Sequence, residues 1–465
     1  MTVPLFENGG FMQKAHRLSE IDSAVNKFQP VTPEHPFYVN FDHVRGDFQE
    51  SELMSMLNVR LENGQYKFDY QANRSNQTIV FLAGMRGSGK TSELAKYARR
   101  LHSSECFFVV TCNVDEQLDM DRVQYMDIVI FQLERLLEEA QRQGLSLSDD
   151  IVDSMKRWFD ERVVEINRSL KAEGNAELEV GTDNPFSITS LMSLLGITAR
   201  LKAGLSGSAE RAVKIRQSFQ NRFADFSQKF NTFIELVNEQ LRRKNMGKEV
   251  LFIIDGLEKT MSADTRRKII MEESNRIRQI RVNTLFTLPI ELMKEEQRIR
   301  QFGEIISFPF IKVKERNGAV CAPAVQLFQE FIAKRIDSNL FENQATIDLA
   351  IEYSGGSPRQ LLRILEQANW FTQPETATIT YANMQRAIEK LGNNIARYLE
   401  PEEFQVLKAI KNDLEKGNPI GFDSNIQSLL EKEIIFEYND GTYKRVNPLL
   451  EESKLYRHHV LNTAS

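Results

Sequence analysis

The stretch GMRGSGKT, residues 84–91, decides the fold of this chain. It fits the pattern G-x-x-x-x-G-K-[ST], in which glycines let backbone N–H groups turn towards phosphate oxygens. The apolar run QTIVFLA (77–83) before it is typical of a buried strand, and a helix is predicted over 91–101 after it. The N-terminus of a helix adds a partial positive charge that favours phosphate. Strand, loop and helix together predict a phosphate-binding loop in an α/β domain.

Each residue type in this loop has an expected task. The Lys90 ammonium should reach the β- and γ-phosphates of a nucleotide, and the Thr91 hydroxyl should coordinate Mg²⁺. These residues do not distinguish ATP from GTP, because the base is recognised by backbone and apolar contacts. The other residues expected to bind the nucleotide are Gly84, Arg86, Gly87, Ser88, Gly89 and Ser92.

Four further apolar runs predict a sheet around this loop. They are ECFFVVTCNV (105–114), KEVLFIID (248–255), RVNTLFT (281–287) and EIISFPFIKV (304–313), and a long amphipathic helix is predicted over 126–143. Short apolar strands that alternate with helices indicate a parallel sheet covered on both faces. One more short strand is predicted at 37–40, in an otherwise irregular N-terminal segment.

Two carboxylates follow the strand at 248–255. Asp255 ends the strand, and a carboxylate at that end of a parallel strand can hold Mg²⁺ through water beside the phosphate loop. Glu258 lies three residues further on and is expected to polarise the attacking water. The alternative for Glu258 is an ordinary surface carboxylate.

Four more polar residues are candidates for contact with the γ-phosphate. Thr287 ends the fourth strand of the sheet and could either sense this phosphate or cap the next turn. Arg359 follows the turn GGSP (355–358), and its guanidinium fork matches two phosphate oxygens. Arg298 and Arg300 precede the fifth strand, where either could act across a subunit boundary as an arginine finger or remain a solvated charge.

The ordered set GMRGSGKT, FIIDGLEK (252–259), TLFTLP (284–289) and GGSPRQLLR (355–363) resembles the AAA+/STAND group of ATPases. It is most similar to the branch that origin-recognition ATPases share with bacterial signalling NTPases, over roughly residues 40–465. The resemblance implies an α/β P-loop NTPase sheet of the AAA+/ASCE type, with ATP and Mg²⁺ as cofactors. It also implies that Gly87, Gly89, Lys90, Thr91 and Asp255 bind and hydrolyse ATP.

The remaining motif residues take their roles from the same resemblance. Thr287 matches the first sensor, Arg359 the second sensor in a helical lid, and Arg300 or Arg298 the arginine finger. The chain departs from many AAA+ members because Gly256 follows Asp255 and the next acidic residue is Glu258. This is similar to the D-G-h-[DE] pattern of STAND proteins and implies a slow switch in place of a motor.

The chain also divides into recognisable parts. We predict an N-terminal extension (1–45), a P-loop ATPase core (46–318) with a helical insertion (about 144–247), a helical lid (319–395) and a winged helix (396–465). The winged helix rests on helices at 402–416 and 424–432 and a hairpin, 434–438 with 442–446, around the turn Asn439-Asp440-Gly441.

Composition narrows the class of protein. The 465 residues are 41% hydrophobic and 27% charged, with a formal net charge of −6, so a generally basic nucleic-acid coat is excluded. Three cysteines cannot build a disulfide framework, and we expect buried thiols at Cys106 and Cys112. Neither a signal peptide nor an apolar run of membrane-spanning length is found in the sequence, so we expect a cytoplasmic protein without a membrane partner.

The charge distribution of the predicted insertion indicates which kinds of partner the protein could bind. Residues 144–183 hold 5 basic and 10 acidic side chains, residues 200–248 hold 11 basic and 4 acidic ones, and the apolar stretch 188–205 lies between them. We expect a helical hairpin with a charged, solvated face, or else a partner or nucleic-acid surface. A membrane-lying helix is a weaker alternative, because only Arg200 and Lys202 would anchor it.

Two functions remain open. The first is an ATP-dependent switch that forms homo-oligomers or recruits a separately encoded effector protein, in bacterial anti-phage defence. The second is an ATP-regulated DNA-binding protein of the origin-recognition or transposition-regulator kind, and a loader or remodelling chaperone is a further alternative. The tail argues against DNA binding through the winged helix, since residues 393–465 contain 9 basic and 12 acidic side chains.

Overall fold

The structure is a computed structural model that describes most of the chain. It describes residues 12–46, 48–69, 77–145, 147–172, 178, 190–259, 262–372, 377–418, 420–421, 423–439, 441 and 443–461. Several predicted features lie outside these ranges: the first part of the N-terminal extension, part of the insertion and of its apolar stretch, and two hairpin residues, Asp440 and Thr442.

A five-stranded parallel sheet organises the fold. In chain order the strands are β1 (Val59–Glu62), β2 (Gln65–Phe68), β3 (Ile79–Gly84), β4 (Phe107–Asn113), β5 (Glu249–Asp255), β6 (Asn283–Pro289), β7 (Glu304–Ser307), β8 (Ile435–Tyr438) and β9 (Tyr443–Val446). The sheet has the order β4-β5-β6-β3-β7, while β1 with β2 and β8 with β9 form separate antiparallel pairs. The predicted α/β fold with a parallel sheet is confirmed.

Helices cover both faces of this sheet, and the residues of β3 show how. Val80 and Leu82 pack on the face that carries the helix Lys90–Leu101, whereas Phe81 and Ala83 pack on the opposite face. Successive strand residues point to opposite faces, so a strand buried on both must be apolar throughout. This explains why β3 reads as a continuous apolar run in the sequence.

The other helices follow the predicted parts of the chain. The longer ones are Glu50–Met56, Lys90–Leu101, Tyr125–Arg142, Asp149–Ala172, Ser190–Ser206, Ala209–Asn221, Phe223–Arg243, Ala322–Ala333, Gln344–Ser354, Pro358–Trp370, Tyr381–Ala396, Pro401–Lys416 and Ser424–Glu431. Short helical turns are Leu18–Glu20, Ile21–Ala24, Asp42–Val44, Val114–Gln117, Leu257–Lys259, Ala263–Arg267, Lys268–Glu272, Ser274–Gln279, Ile290–Glu295, Glu296–Ile299, Ser338–Leu340, Pro448–Glu451, Lys454–Tyr456 and Arg457–Leu461.

The insertion packs as part of the main hydrophobic core. Its helix Ser190–Ser206 lies against Tyr125–Arg142 and Asp149–Ala172. Leu194, Leu201 and Leu205 are buried there and belong to the same cluster as Phe81 of the sheet. The interpretation of this apolar stretch as a partner surface or a membrane-lying helix is therefore wrong for these residues, which pack inside the chain itself.

Two expected strands differ from the structure, each for a local reason. The strand predicted over 304–313 ends at Ser307, because Pro309 has no N–H to continue the ladder. The segment predicted as a strand over 37–40 is irregular. Its side chains Phe37 and Val39 are nevertheless buried, and the Lys334 ammonium donates a hydrogen bond to the Tyr38 carbonyl at 2.6 Å.

The C-terminal tail, from residue 396 onwards, contacts the core at a segment outside the sheet. Two helices, Pro401–Lys416 and Ser424–Glu431, precede the pair β8–β9, and the winged helix remains a prediction built on this order. The buried guanidinium of Arg266 forms ion pairs with both Glu291 of the core and Glu431 of the tail. The tail is thereby connected to the segment that directly follows β6. No helix in the described ranges is both long and apolar enough to cross a membrane.

Candidate functional site

The loop between β3 and the helix Lys90–Leu101 has the backbone that its glycines predict. Gly87 and Gly89 have φ angles of 78° and 96°, in the left-handed region that residues with a Cβ rarely adopt. A Cβ on Gly87 would also lie 2.9 Å from Cβ of Arg359. Glycine is therefore required at Gly87 both by the turn and by the close approach of the lid.

The two serines of the predicted nucleotide-binding set have different surroundings. Ser88 is fully buried, and its hydroxyl has no hydrogen-bond partner among the described residues. The Ser92 hydroxyl accepts a hydrogen bond at 3.2 Å from the backbone N–H of Val31, in the N-terminal segment. Ser92 thus connects the helix after the loop to a part of the chain far away in sequence.

Lys90 is buried within the loop. Its ammonium donates hydrogen bonds to the carbonyls of Gly84, at 2.8 Å, and Met85, at 2.9 Å, and lies 3.7 Å from a carboxylate oxygen of Glu258. Burial lowers the pKa of Lys90, while the carboxylates of Glu258 and Asp255 oppose this shift. The ammonium is thus held at the base of the loop, where phosphate oxygens would meet it.

Thr91 and Asp255 are brought together as predicted. The Thr91 hydroxyl donates a hydrogen bond of 2.6 Å to Oδ2 of Asp255, whose Oδ1 is buried without a partner in the described chain. Burial raises the pKa of Asp255 to about 6, and the charge of Glu258 adds to this shift. A hydroxyl and a carboxylate with one free oxygen are the hard ligands that Mg²⁺ prefers, so the pair fits this ion.

Glu258 lies in the turn Leu257–Lys259 directly after β5. Gly256 has a φ of 94° there, and a Cβ at this position would collide with the carboxylate of Asp115. Burial raises the pKa of Glu258, but the charges of Lys90 and Lys259 and the hydrogen bonds to the carboxylate together outweigh burial and lower this pKa below its usual value. Oε2 has no hydrogen-bond partner in the described ranges. The surroundings of Glu258 therefore favour its ionised form and leave one of its oxygens without a partner in the described chain.

Three other predicted residues surround this pair of carboxylates. Thr287 is fully buried on β6, and its hydroxyl contributes to the lowered pKa of Glu258. Arg86 donates a hydrogen bond to the backbone carbonyl of Glu258. Arg359 opens the lid helix Pro358–Trp370 beside Gly87, and its positive charge adds to the lowering of the pKa of Lys90.

Arg298 and Arg300 are the two predicted residues that the structure does not bring to the loop. Both side chains are about half exposed, and neither lines the cavity beside the loop. Arg298 lies 3.1 Å from Glu295, and Arg300 lies 2.8 Å from Glu296. Their assignment to a neighbouring subunit's site stays a prediction.

The loop opens into a cavity of about 340 Å³, within the range of small-molecule sites. Sequence reasoning missed much of its lining, above all the N-terminal segment. The missed residues are Lys27, Phe28, Gln29, Pro30, Val31, Phe37, Tyr38, Val39, Phe41, Arg45, Glu93, Asn113, Asp115, Glu116, Lys259, Phe331, Arg335, Pro358 and Leu362. The aromatic run FYVNF (37–41) was the sequence feature that could have indicated this lining. Its pattern has no periodicity that distinguishes a segment facing a ligand from a strand.

The comparisons with known proteins are limited. No protein-family model and no curated protein matches the chain. Among solved structures, a Walker-type ATPase from Pyrococcus abyssi is 12% identical, with a TM-score of 0.36 over 82% of this chain and 91% of that chain. A point mutant of RuvB from Thermotoga maritima is 12% identical, with a TM-score of 0.25 over 66% of this chain and 95% of that chain.

The fold class follows from the chain's own geometry. A parallel sheet carries a glycine-rich loop after β3, a lysine at the start of the next helix, and a carboxylate at the end of β5. β6 lies between these two strands, so its polar residue Thr287 reaches the same edge of the sheet. This is the fold of the P-loop NTPases, as the sequence predicted.

Proposed function

We propose that this chain binds and hydrolyses ATP with Mg²⁺ as an AAA+/STAND-type switch ATPase. The observation that carries the proposal is the pair of buried carboxylates, Asp255 and Glu258, each with an unpartnered oxygen, beside the loop that holds Lys90. Unpartnered buried carboxylate oxygens are costly unless a cation, a water or a substrate completes them.

The residues divide the chemistry between them. The backbone of the loop and the Lys90 ammonium bind the phosphates, and Lys90 exchanges its two carbonyl partners for phosphate oxygens. Thr91 and Asp255 would hold Mg²⁺, which supplies charge neutralisation at the phosphates when bound. Glu258 takes a proton from the attacking water, and Arg359 stabilises negative charge from the lid side.

Assembly of several copies is part of the proposal. Arg298 and Arg300 are exposed and lie outside their own chain's cavity, which is the placement that an arginine finger acting on a neighbouring copy requires. The resemblance of the motifs to STAND proteins supports slow hydrolysis that switches an oligomer. A separately encoded effector, a role in anti-phage defence and a cytoplasmic location rest on that resemblance alone.

DNA binding is the second candidate, and it rests on the basic stretch 200–248. Internal ion pairs already neutralise part of that charge: Arg216 is buried against Asp127 at 2.5 Å, and Lys202 lies 2.6 Å from Glu134. The exposed basic side chains that remain there are Arg222, Arg242, Arg243 and Lys244. They leave a smaller basic surface than the sequence alone indicates, so the switch is the better supported function.

The test is the mass of the protein in solution, with and without ATP and Mg²⁺, alone and with a short DNA duplex. We expect the mass to increase with nucleotide alone, and Lys90→Ala to lose both nucleotide binding and this increase. The exposed Lys416→Ala, in the tail helix Pro401–Lys416, is the control and should behave as the wild type. An increase that requires DNA would favour the second candidate, and a wild-type chain that binds no nucleotide would overturn the proposal.

A further inference from the structure

A second cationic side chain lies against the phosphate-binding loop, and it comes from the N-terminal segment. Arg45 follows the turn Asp42–Val44, is only 3% exposed and lines the same cavity as Lys90. Its Nη2 lies 3.3 Å from the position that a Cβ on Gly89 would occupy. The guanidinium is therefore packed directly beside the glycine that precedes Lys90.

Burial lowers the pKa of Arg45, and the negative charges of Glu93 and Asp42 oppose this shift without forming an ion pair with the guanidinium. Nη1 donates a hydrogen bond to the Pro309 carbonyl at 3.1 Å, and the guanidinium covers the ring of Phe308 at 3.9 Å. Nε is buried with no hydrogen-bond partner in the described part of the chain. Among the same residues, no ion pair joins Arg45 to an acidic side chain.

The nearest acidic groups are already engaged elsewhere. The Lys96 ammonium lies 2.7 Å from Asp42 and 3.2 Å from Glu50, and it also forms an ion pair with Glu93. A buried cation whose neighbouring carboxylates pair with another cation is incompletely compensated, whereas an anionic ligand in the cavity would complete the compensation. The position beside Gly89 identifies that anion by its chemistry as a phosphate group.

We propose that Arg45 binds the phosphate chain of the nucleotide, as a second cation beside Lys90. This inference rests on the proposed nucleotide binding and adds a residue that lies 45 positions before Lys90 in the sequence. A guanidinium suits the task because it donates two parallel hydrogen bonds to phosphate oxygens and stays charged when buried. The N-terminal segment lines the other side of the cavity. Through Arg45, this segment would contact the bound phosphates.

Arg216 provides a control outside the cavity. It is 8% exposed, and its guanidinium donates hydrogen bonds of 3.0 and 2.5 Å to the two carboxylate oxygens of Asp127. Unlike Arg45, it has a carboxylate partner of its own and does not line the cavity. Its loss should therefore weaken the fold without a specific effect on phosphate.

The experiment compares Arg45→Gln, Arg45→Lys and Arg216→Gln in the full-length chain. The dissociation constants of ATP, ADP and inorganic tripolyphosphate are measured in the presence of Mg²⁺, and the melting temperature is measured without ligand. We expect Arg45→Gln to weaken the binding of all three ligands about ten- to hundredfold, and Arg45→Lys to restore part of the loss. Arg216→Gln should lower the melting temperature and change the tripolyphosphate affinity little.

Four outcomes would overturn the inference. A folded Arg45→Gln chain that binds tripolyphosphate as tightly as the wild type would do so, and so would an equal loss of affinity in Arg216→Gln. If Arg45→Gln does not fold, the Arg45→Lys variant provides the test. Wild-type affinity of Arg45→Lys for all three ligands would contradict a bidentate contact between the guanidinium and phosphate. A wild-type chain that binds none of these ligands, with Lys90→Ala indistinguishable from it, would overturn the proposed function as well.

Discussion

The ammonium of Lys90 lies 3.7 Å from a carboxylate oxygen of Glu258, and both groups are buried at the end of the sheet. Because Lys90 contributes to keeping Glu258 ionised, phosphate binding by Lys90 would leave Glu258 free to take a proton from water. Glu258→Gln should keep ATP affinity and lower the turnover number by about 10²- to 10⁴-fold.

Single-turnover hydrolysis and equilibrium nucleotide binding, measured on the same preparation, check this prediction. Glu116→Gln is the control, because Glu116 also lines the cavity but is exposed. Unaltered turnover in Glu258→Gln, or an equal loss of turnover in Glu116→Gln, would show that Glu258 is not the group that takes the proton from water.

Asp255→Asn should remove the dependence of nucleotide affinity on Mg²⁺. The amide keeps the shape of the side chain and loses the charge, so the hydrogen bond from Thr91 can persist while the ion loses its counter-charge. The measurement is nucleotide affinity in a titration of Mg²⁺, with affinity in a chelator as the reference. An Asp255→Asn chain that still gains affinity with Mg²⁺ as the wild type does would contradict the assignment.

Mixing two inactive variants tests the arginine finger. A Glu258→Gln chain should bind nucleotide without hydrolysing it and can offer Arg298 or Arg300. A double Arg298→Ala, Arg300→Ala chain should bind nucleotide without offering either. We expect hydrolysis to recover when the two are mixed, because active sites then combine the loop of one chain with the arginines of another. Turnover in the double variant alone at the wild-type rate would exclude both arginines.

His102 predicts a loss of stability in mild acid. Its Nδ1 accepts a hydrogen bond of 3.2 Å from Val109 N–H, and burial lowers the pKa of His102 below its ordinary value of 6.5. The unfolded chain therefore binds this proton more readily than the folded one, so the contribution of His102 lowers the free energy of unfolding as pH drops below 6.5, while the raised pKa of Asp255 acts in the opposite direction. One proton contributes a slope of at most about 1.4 kcal/mol per pH unit.

Denaturant unfolding from pH 7.5 to 5 checks the prediction about His102. His102→Gln should flatten the pH dependence relative to the wild type, and the exposed His43→Gln should keep it. A wild-type slope retained in His102→Gln would assign the acid sensitivity to other groups.

The sequence predicted the geometry of the phosphate-binding loop and of the strand ends beside it, because each part is encoded locally. An apolar run, a glycine-rich turn and a helix place Lys90 and Thr91, and a second apolar run places Asp255. Parallel strands bring their carboxyl ends to one edge, so the contact between Thr91 and Asp255 follows from these elements.

The N-terminal lining of the cavity could not be predicted in the same way. Phe37 and Arg45 are positioned by partners at the far end of the chain, Arg335 and Pro309, and no local pattern records such contacts. The apolar stretch of the insertion left a partner surface and a membrane-lying helix open as alternatives for a related reason. A helix that packs within its own chain and one that awaits a partner have the same amphipathic sequence.

The pairing of β4 with β5 has a consequence for how the protein folds. These strands are in register from Phe107 opposite Glu249 to Asn113 opposite Asp255, yet residues 114–248 intervene. Closing a long loop is slow, and a prefolded helical unit brings its two ends together at little further entropic cost. We expect pulsed hydrogen exchange to show protection of the amides in the insertion before those of β5. The carboxylate of Asp255 would then be among the last groups of the chain to take its native position. A newly synthesised chain would therefore not bind nucleotide with Mg²⁺ until the insertion has packed.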